Sequence, residues 1–228
     1  MTAPFGLPRK EGTSTNKFYA KLLAAFLTAA LALAVFPQVD LSVSRLFYAP
    51  SSGFVHSDIF DFLRHGLPYL IAAALAVALL LEVKGLAPRR AFLFVAASYA
   101  LGPGLLVNGI LKEFSGRARP AQIAQFGGLS HFTPAFIFTN QCAHNCSFTA
   151  GDPSVGFALI AFAFLFPRFR LPLTFLALFV GCGFGIIRIM QGGHFLSDVC
   201  ATAFVTIASV MILYKFCIKP FDSPPALR

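Results

Sequence analysis

Tryptophan is absent from this 228-residue chain, and only 12% of its residues are charged. Soluble domains carry about 25% charged residues. Set beside a 57% hydrophobic content, the shortage of charge excludes a water-soluble globular protein. With no Trp, an aromatic belt at a membrane interface must come from Tyr and from Phe, which occurs 28 times. Acidic residues are also few, nine against eighteen Lys and Arg. Such a balance can suit nucleic acid, but here the positive charges are scattered between apolar runs and form no basic groove, so no nucleic-acid partner is expected. The five cysteines lack zinc-ligand spacing. Cys182, Cys200 and Cys217 fall inside apolar runs and read as small core residues. Cys142 and Cys146 share a polar loop, where a disulfide is expected if that loop faces an oxidising compartment.

What the chain does have is apolar length. Runs over 18–36, 67–83, 91–111, 153–167, 171–190 and 195–217 predict an all-α integral membrane bundle of six transmembrane helices. Residues 1–17, rich in Pro, Gly, Thr and Lys, read as a disordered cytoplasmic N-terminus. Residues 18–217 form the membrane domain, and 218–228 a cytoplasmic tail. A basic stretch followed by an apolar run, with Ala32-Leu33-Ala34 as a cleavage-like site, also describes a signal peptide. The first run is longer than a typical signal core and the topology needs it, which favours a retained helix. Residues 37–66 are a mixed loop with apolar positions suited to the interface. The third run carries Gly102-Pro103-Gly104 and Asn108 and is expected to kink.

Six spans can be tested against the excess of Lys and Arg on the cytoplasmic side. With the N-terminus inside, twelve of the eighteen Lys and Arg lie inside: Arg9, Lys10, Lys17, Lys21, Lys84, Arg89, Arg90, Arg168, Arg170, Lys215, Lys219 and Arg228. Arg45, Arg64, Lys112, Arg117, Arg119 and Arg188 lie outside. This orientation sends the end of the third span, the start of the fourth, the end of the fifth and the start of the sixth to one outer surface. Three polar clusters distant in sequence can then meet.

The first cluster is Lys112-Glu-Phe-Ser-Gly-Arg-Ala-Arg119-Pro120, whose guanidinium forks and ammonium suit phosphate oxygens. A basic helix end beside acidic lipid headgroups is its plainer reading. The second, Cys146 to Ser154, surrounds Gly151 and Asp152 at a helix start, where free backbone N–H groups and the helix dipole favour an anion. The third runs from Arg188 to Asp198. Gly192-Gly193 breaks the helical pattern there. If a new helix begins near His194, Asp198 lies one turn along on the same face and can accept a hydrogen bond from the imidazole. The other ring nitrogen is then free, which is the wiring of a histidine nucleophile or base. Arg188 could hold an anion before the ring. A polar patch at a membrane surface remains the alternative.

Together the clusters resemble the three-part signature of the type 2 phosphatidic acid phosphatase (PAP2) family, and within it the lipid A 4′-phosphatase branch. Lys112 and Arg119-Pro120 match the first part; Arg188, His194 and Asp198 match the third at full spacing, with Ile187 where the family has Ser. The middle part departs, since Thr149-Ala150-Gly151-Asp152 stands where the family has Pro-Ser-Gly-His. The resemblance covers about residues 90–217. It implies a membrane lipid phosphatase, with lipid A or another phospholipid as substrate, that needs no metal or cofactor and sits in the bacterial inner membrane with both termini cytoplasmic and its site periplasmic. His194 would attack phosphorus, Asp198 would fix the imidazole tautomer, and Lys112, Arg119, Arg188 and the Gly151 amide would hold the phosphate oxygens. Asp152 would either replace the family's general acid or cap the fourth span, with Pro153 following at the favoured position. His56, His65, His131 and His144 read as loop residues. Undecaprenyl diphosphate and phosphatidylglycerophosphate are alternative substrates. Vanadium haloperoxidases share the constellation but are soluble. A transport or lipid-binding membrane protein is the non-enzymatic alternative, although transporters place polar groups near the bilayer midplane.

Overall fold

A computed structural model describes residues 12–218 of the chain. Helix α1 (Gly12–Val35) begins inside the stretch expected to be irregular, so that stretch is helical from Gly12; residues 1–11 and the expected tail 219–228 lie outside the described residues. The segment expected as a mixed loop is ordered instead, into α2 (Gln38–Arg45), a short antiparallel hairpin of β1 (Tyr48–Ala49) and β2 (Gly53–Phe54), and α3 (Asp58–His65). Helix α4 (Leu67–Val83) follows directly, with Pro68 in its first turn, where its missing N–H leaves no bond unmade.

Helix α5 (Arg89–Tyr99) runs on into a π-helical stretch, Ala100–Leu111, and ends in α6 (Lys112–Phe114). The expected kink thus takes the form of a widened helix around buried Pro103, which has no N–H to donate. Asn108 Nδ2 donates to the Pro103 carbonyl at 2.7 Å, an added side-chain bond across the widened turn.

Helices α7 (Gly151–Ala158) and α8 (Ile160–Leu165) occupy the expected fourth span, and α9 (Arg170–Met190) and α10 (Leu196–Cys217) the last two. Among the described residues five helices are long and apolar enough to cross a membrane, and Gly151–Leu165 is shorter. At 1.5 Å per residue it reaches about 22 Å, short of the ~30 Å hydrocarbon core. It is nonetheless the most enclosed part of the bundle, with Phe157, Ala158, Ile160, Ala161 and Ala163 fully buried.

Helix α7 lies against α9 at backbone distance. A Cβ on Gly156 would stand 2.5 Å from the Gly181 amide nitrogen, closer than side chains approach, so both positions need glycine. This seam fixes the start of α7 relative to the end of α9. The main core joins Tyr19, Phe94, Val95, Ile160, Phe164, Ala177 and Ile207. A second cluster, Phe54, Ala118, Ile123, Phe126 and Phe195, ties the hairpin and the 115–150 loop to the start of α10.

Candidate active site

The loop between α9 and α10 is held from two sides. Val55 N donates to the Met190 carbonyl at 3.1 Å, and Ala121 N to the Gly192 carbonyl at 3.0 Å. The polar loop is zipped to the end of the third helical segment by Cys146 N to Lys112 O (3.1 Å) and Ser147 N to Arg117 O (2.8 Å). Within it Cys142 and Cys146 are joined as a disulfide. These backbone bonds bring the three sequence clusters to one end of the bundle.

His194 is 1% exposed, and its Nδ1 lies 2.6 Å from the Ser147 carbonyl. A carbonyl only accepts, so Nδ1 carries the proton and Nε2 keeps its lone pair. This differs from the expected wiring. Helix α10 begins at Leu196, so His194 lies outside it, and Asp198 Oδ2 stands 3.8 Å from Nδ1, too far for a hydrogen bond. Asp198 acts on the imidazole as a nearby charge, and a peptide carbonyl sets the tautomer. Burial pushes the His194 pKa down, with the Asp198 carboxylate opposing that shift.

Asp198 is itself saturated. Its Oδ2 accepts from Ser147 Oγ at 2.6 Å and from Phe195 N at 2.8 Å, and its Oδ1 from Arg117 Nη1 at 2.5 Å. Arg117, 1% exposed, also meets Asp40 of α2 at 2.9 Å and lies 4.3 Å from the centre of the Phe195 ring. Ser197 closes the group, donating its amide to Asp40 Oδ1 at 2.9 Å and its hydroxyl to Asp40 Oδ2. Two carboxylates thus share one guanidinium in a site closed to water. Arg117, Asp40, Ser147 and Ser197 were not singled out by sequence. The one signal there was a carboxylate at position 40 just past an apolar run, with no cation beside it.

The cationic side gathers Lys112, Arg119, Gly151, Asp152 and Arg188. Lys112 interacts electrostatically with Asp152, Arg119, Arg188 and Arg64, and His194 with Arg188 and Lys112. Gly151 opens α7. A Cβ there would stand 2.4 Å from Asn108 Oδ1 and 3.1 Å from Lys112 Nζ, so only glycine lets the helix start approach the ammonium. The Ala150 amide donates to Thr202 Oγ1, and that hydroxyl to the Asp198 carbonyl, locking α7 onto α10. Gly193 gives Arg188 similar room, since a Cβ would meet its Nη2 at 2.4 Å. Arg119 is anchored by Nη2 on the Asn145 carbonyl at 2.6 Å.

Asp152 is not the helix cap. The capping position is Ala150, and Asp152 lies within the first turn. Its Oδ2 pairs with Arg64 Nε at 2.9 Å and Arg188 Nε at 3.2 Å. Two guanidinium groups so close favour the ionised carboxylate. Of the four other histidines, His65 is not a loop residue but closes α3, with Nδ1 2.7 Å from the Asp61 carbonyl. In the loop, the His131 amide donates to Gln141 Oε1 at 3.0 Å, and His144 Nδ1 stands 3.4 Å from Glu113 Oε2 of α6. Among the described residues no group of three His, Cys, Asp or Glu side chains is placed to hold a metal ion.

Comparison with known proteins gives the family of the chain. A family profile described as PAP2 superfamily matches residues 91–220. A lipid A 4′-phosphatase of Francisella tularensis subsp. novicida is 34% identical over 193 residues, covering 79% of this chain and 86% of its own. A lipid A 4′-phosphatase of Rhizobium leguminosarum is 34% identical, covering 72% and 81%. A lipid A 1-phosphatase of Rhizobium etli is 40% identical over 114 residues, covering 49% and 43%. No solved structure matches.

Proposed function

The chain belongs to the PAP2 superfamily, and from that premise we propose that it removes a phosphate monoester from lipid A through a phosphohistidine intermediate. It is a multi-pass membrane protein and a phosphoric monoester hydrolase. The observation that carries the reading is the convergence of His194 with Lys112, Arg119, Arg188 and the helix start at Gly151.

In this mechanism the Nε2 lone pair of His194 forms the N–P bond in line as the P–O bond to the sugar breaks. Lys112, Arg119, Arg188 and the Gly151 amide hold the equatorial oxygens, where charge must be stabilised in the transition state. Asp198 balances the positive charge that the ring gains. Water then attacks phosphorus, and the N–P bond breaks to release phosphate. Asp152 enters as an ionised carboxylate. In that state it has no proton to give. To protonate the departing sugar oxygen it must first take one up, which the negative charge of a bound phosphate dianion favours. The carboxylate regenerated by that transfer can accept a proton from the attacking water.

An apolar groove of about 180 Å³, lined by Leu27, Ala30, Leu111, Phe148, Ala201 and Phe204, lies beside the polar end of the bundle and suits an acyl chain. The excess of Lys and Arg on the opposite side supports a periplasmic site with cytoplasmic termini, and a disulfide in the 115–150 loop agrees with that side. Phosphate release from lipid A, undecaprenyl diphosphate and phosphatidic acid should be compared in one detergent. Lipid A should be cleaved fastest, and at the 4′ position. Cleavage of undecaprenyl diphosphate with none of lipid A would overturn the substrate assignment.

The buried imidazole also sets a pH dependence. Attack needs neutral His194, and burial lowers its pKa, so the neutral form persists into more acid solution. The acid limb of kcat/KM should therefore fall below the ordinary histidine value of about 6.5. In Asp198→Asn it should move lower again, because the anion favouring the imidazolium is gone. A limb above 6.5 in the parent chain would contradict this assignment.

A further inference from the structure

Arg64 belongs to none of the three motif stretches, yet it stands among their cations. It lies in the last turn of α3, with its side chain 35% exposed, and its Nε donates to Asp152 Oδ2 at 2.9 Å. Electrostatic coupling links it to Lys112, Arg119 and Arg188. The four cations have two carboxylates among them, Asp152 and the half-exposed Asp61. Positive charge therefore stays in excess, and the cations repel one another unless a further anion joins them.

The side chains also close a ring. Asp152 pairs with the Nε of Arg188; Arg188 Nη1 donates to Gln191 Oε1 at 2.8 Å; Gln191 Nε2 donates to Asp61 Oδ1 at 3.1 Å; and Asp61 Oδ1 stands 3.5 Å from Arg64 Nη1. The ring joins α3, α7 and α9. Asp152 touches both guanidiniums at Nε, through a single oxygen. Arg188 Nη1 and Arg64 Nη1 are taken by Gln191 and Asp61, so Nη2 is the amino group of each guanidinium left to a phosphate oxygen, a strong charge-assisted acceptor.

We propose that Arg64 is a fourth phosphate-binding cation of this site, brought to it and oriented by Asp152. The ligand is a phosphate dianion, whether the monoester of the lipid substrate or the free phosphate produced. The departure from the family pattern at position 152 then has a positive role. An acidic side chain at the start of α7 recruits an arginine from a segment that carries no family motif. The inference rests on the phosphatase reading and extends its substrate contacts.

The test uses the full chain in detergent, with inorganic phosphate as a competitive inhibitor of phosphomonoester hydrolysis. Arg64→Gln should weaken inhibition by phosphate and raise KM by roughly ten- to hundredfold, the loss expected for a charge-assisted hydrogen bond. Arg64→Lys should fall between, since an ammonium keeps the charge but cannot hold Asp152 and phosphate by two edges. In an Asp152→Asn background, Arg64→Gln should cost several-fold less than in the parent, because the orienting partner is already weakened. Unchanged phosphate inhibition in an active Arg64→Gln enzyme overturns the proposal. Strictly additive losses overturn the part assigned to Asp152. A lower unfolding temperature with KM and phosphate inhibition intact identifies Arg64 as a brace between α3 and α7 and overturns the proposal too. A parent chain that neither hydrolyses a phosphomonoester nor responds to phosphate overturns the phosphatase reading first, and this inference with it.

Discussion

Alanine in place of His194 should reduce phosphate release to background, a loss on the order of 10⁵–10⁶ in kcat, as for other enzymes deprived of their nucleophile. The reason is local. The imidazole is buried, oriented through Nδ1 and coupled to Arg188 and Lys112. Acid-quenched parent enzyme should carry labelled phosphate on a histidine during turnover, and His194→Ala should carry none. Lys112, Arg119 and Arg188 remain in that variant, so it should still bind the lipid. Substantial turnover by His194→Ala would remove the covalent mechanism.

Arg117→Gln should produce the largest loss of stability. It removes the guanidinium shared by Asp40 and Asp198, both fully buried. Breaking a buried ion pair by deleting one partner costs about 3–5 kcal/mol, because a charge is left behind without compensation. Here two carboxylates are stranded. The loss should appear as a lower unfolding midpoint in detergent. Adding Asp40→Asn should recover part of it, since one stranded charge is then gone. An unchanged midpoint in Arg117→Gln would mean that the triad contributes nothing.

The signature residues were legible because each motif keeps its members at fixed intervals within a short stretch of chain. Lys112 and Arg119 flank one turn, and Arg188, His194 and Asp198 flank another, so their interval shows without a fold. The helices were legible because a long unbroken apolar run satisfies its backbone in a bilayer only by coiling into a helix. The tautomer-setting bond escaped because its acceptor is the Ser147 carbonyl, and a backbone atom leaves no mark on residue type. Asp40 and Arg117 escaped because their partners lie more than 70 positions away, and charge alone does not say which carboxylate meets which guanidinium. Arg64 was hidden in a segment read as interfacial loop. The widened helix at 100–111 was legible only as a kink, since Gly-Pro-Gly marks where a helix must yield but not how.

The sharing of Arg117 between Asp40 and Asp198 has a consequence for biosynthesis. Asp40 leaves the ribosome after the first span, Arg117 after the third and Asp198 only with the last. Until Asp198 has emerged, Arg117 lacks one of its two carboxylates, and the segment bearing Ser147 lacks the side chain that anchors its hydroxyl. No shorter nascent chain contains the assembled pocket. Completion of the candidate site is thereby coupled to the arrival of α10 in the bilayer.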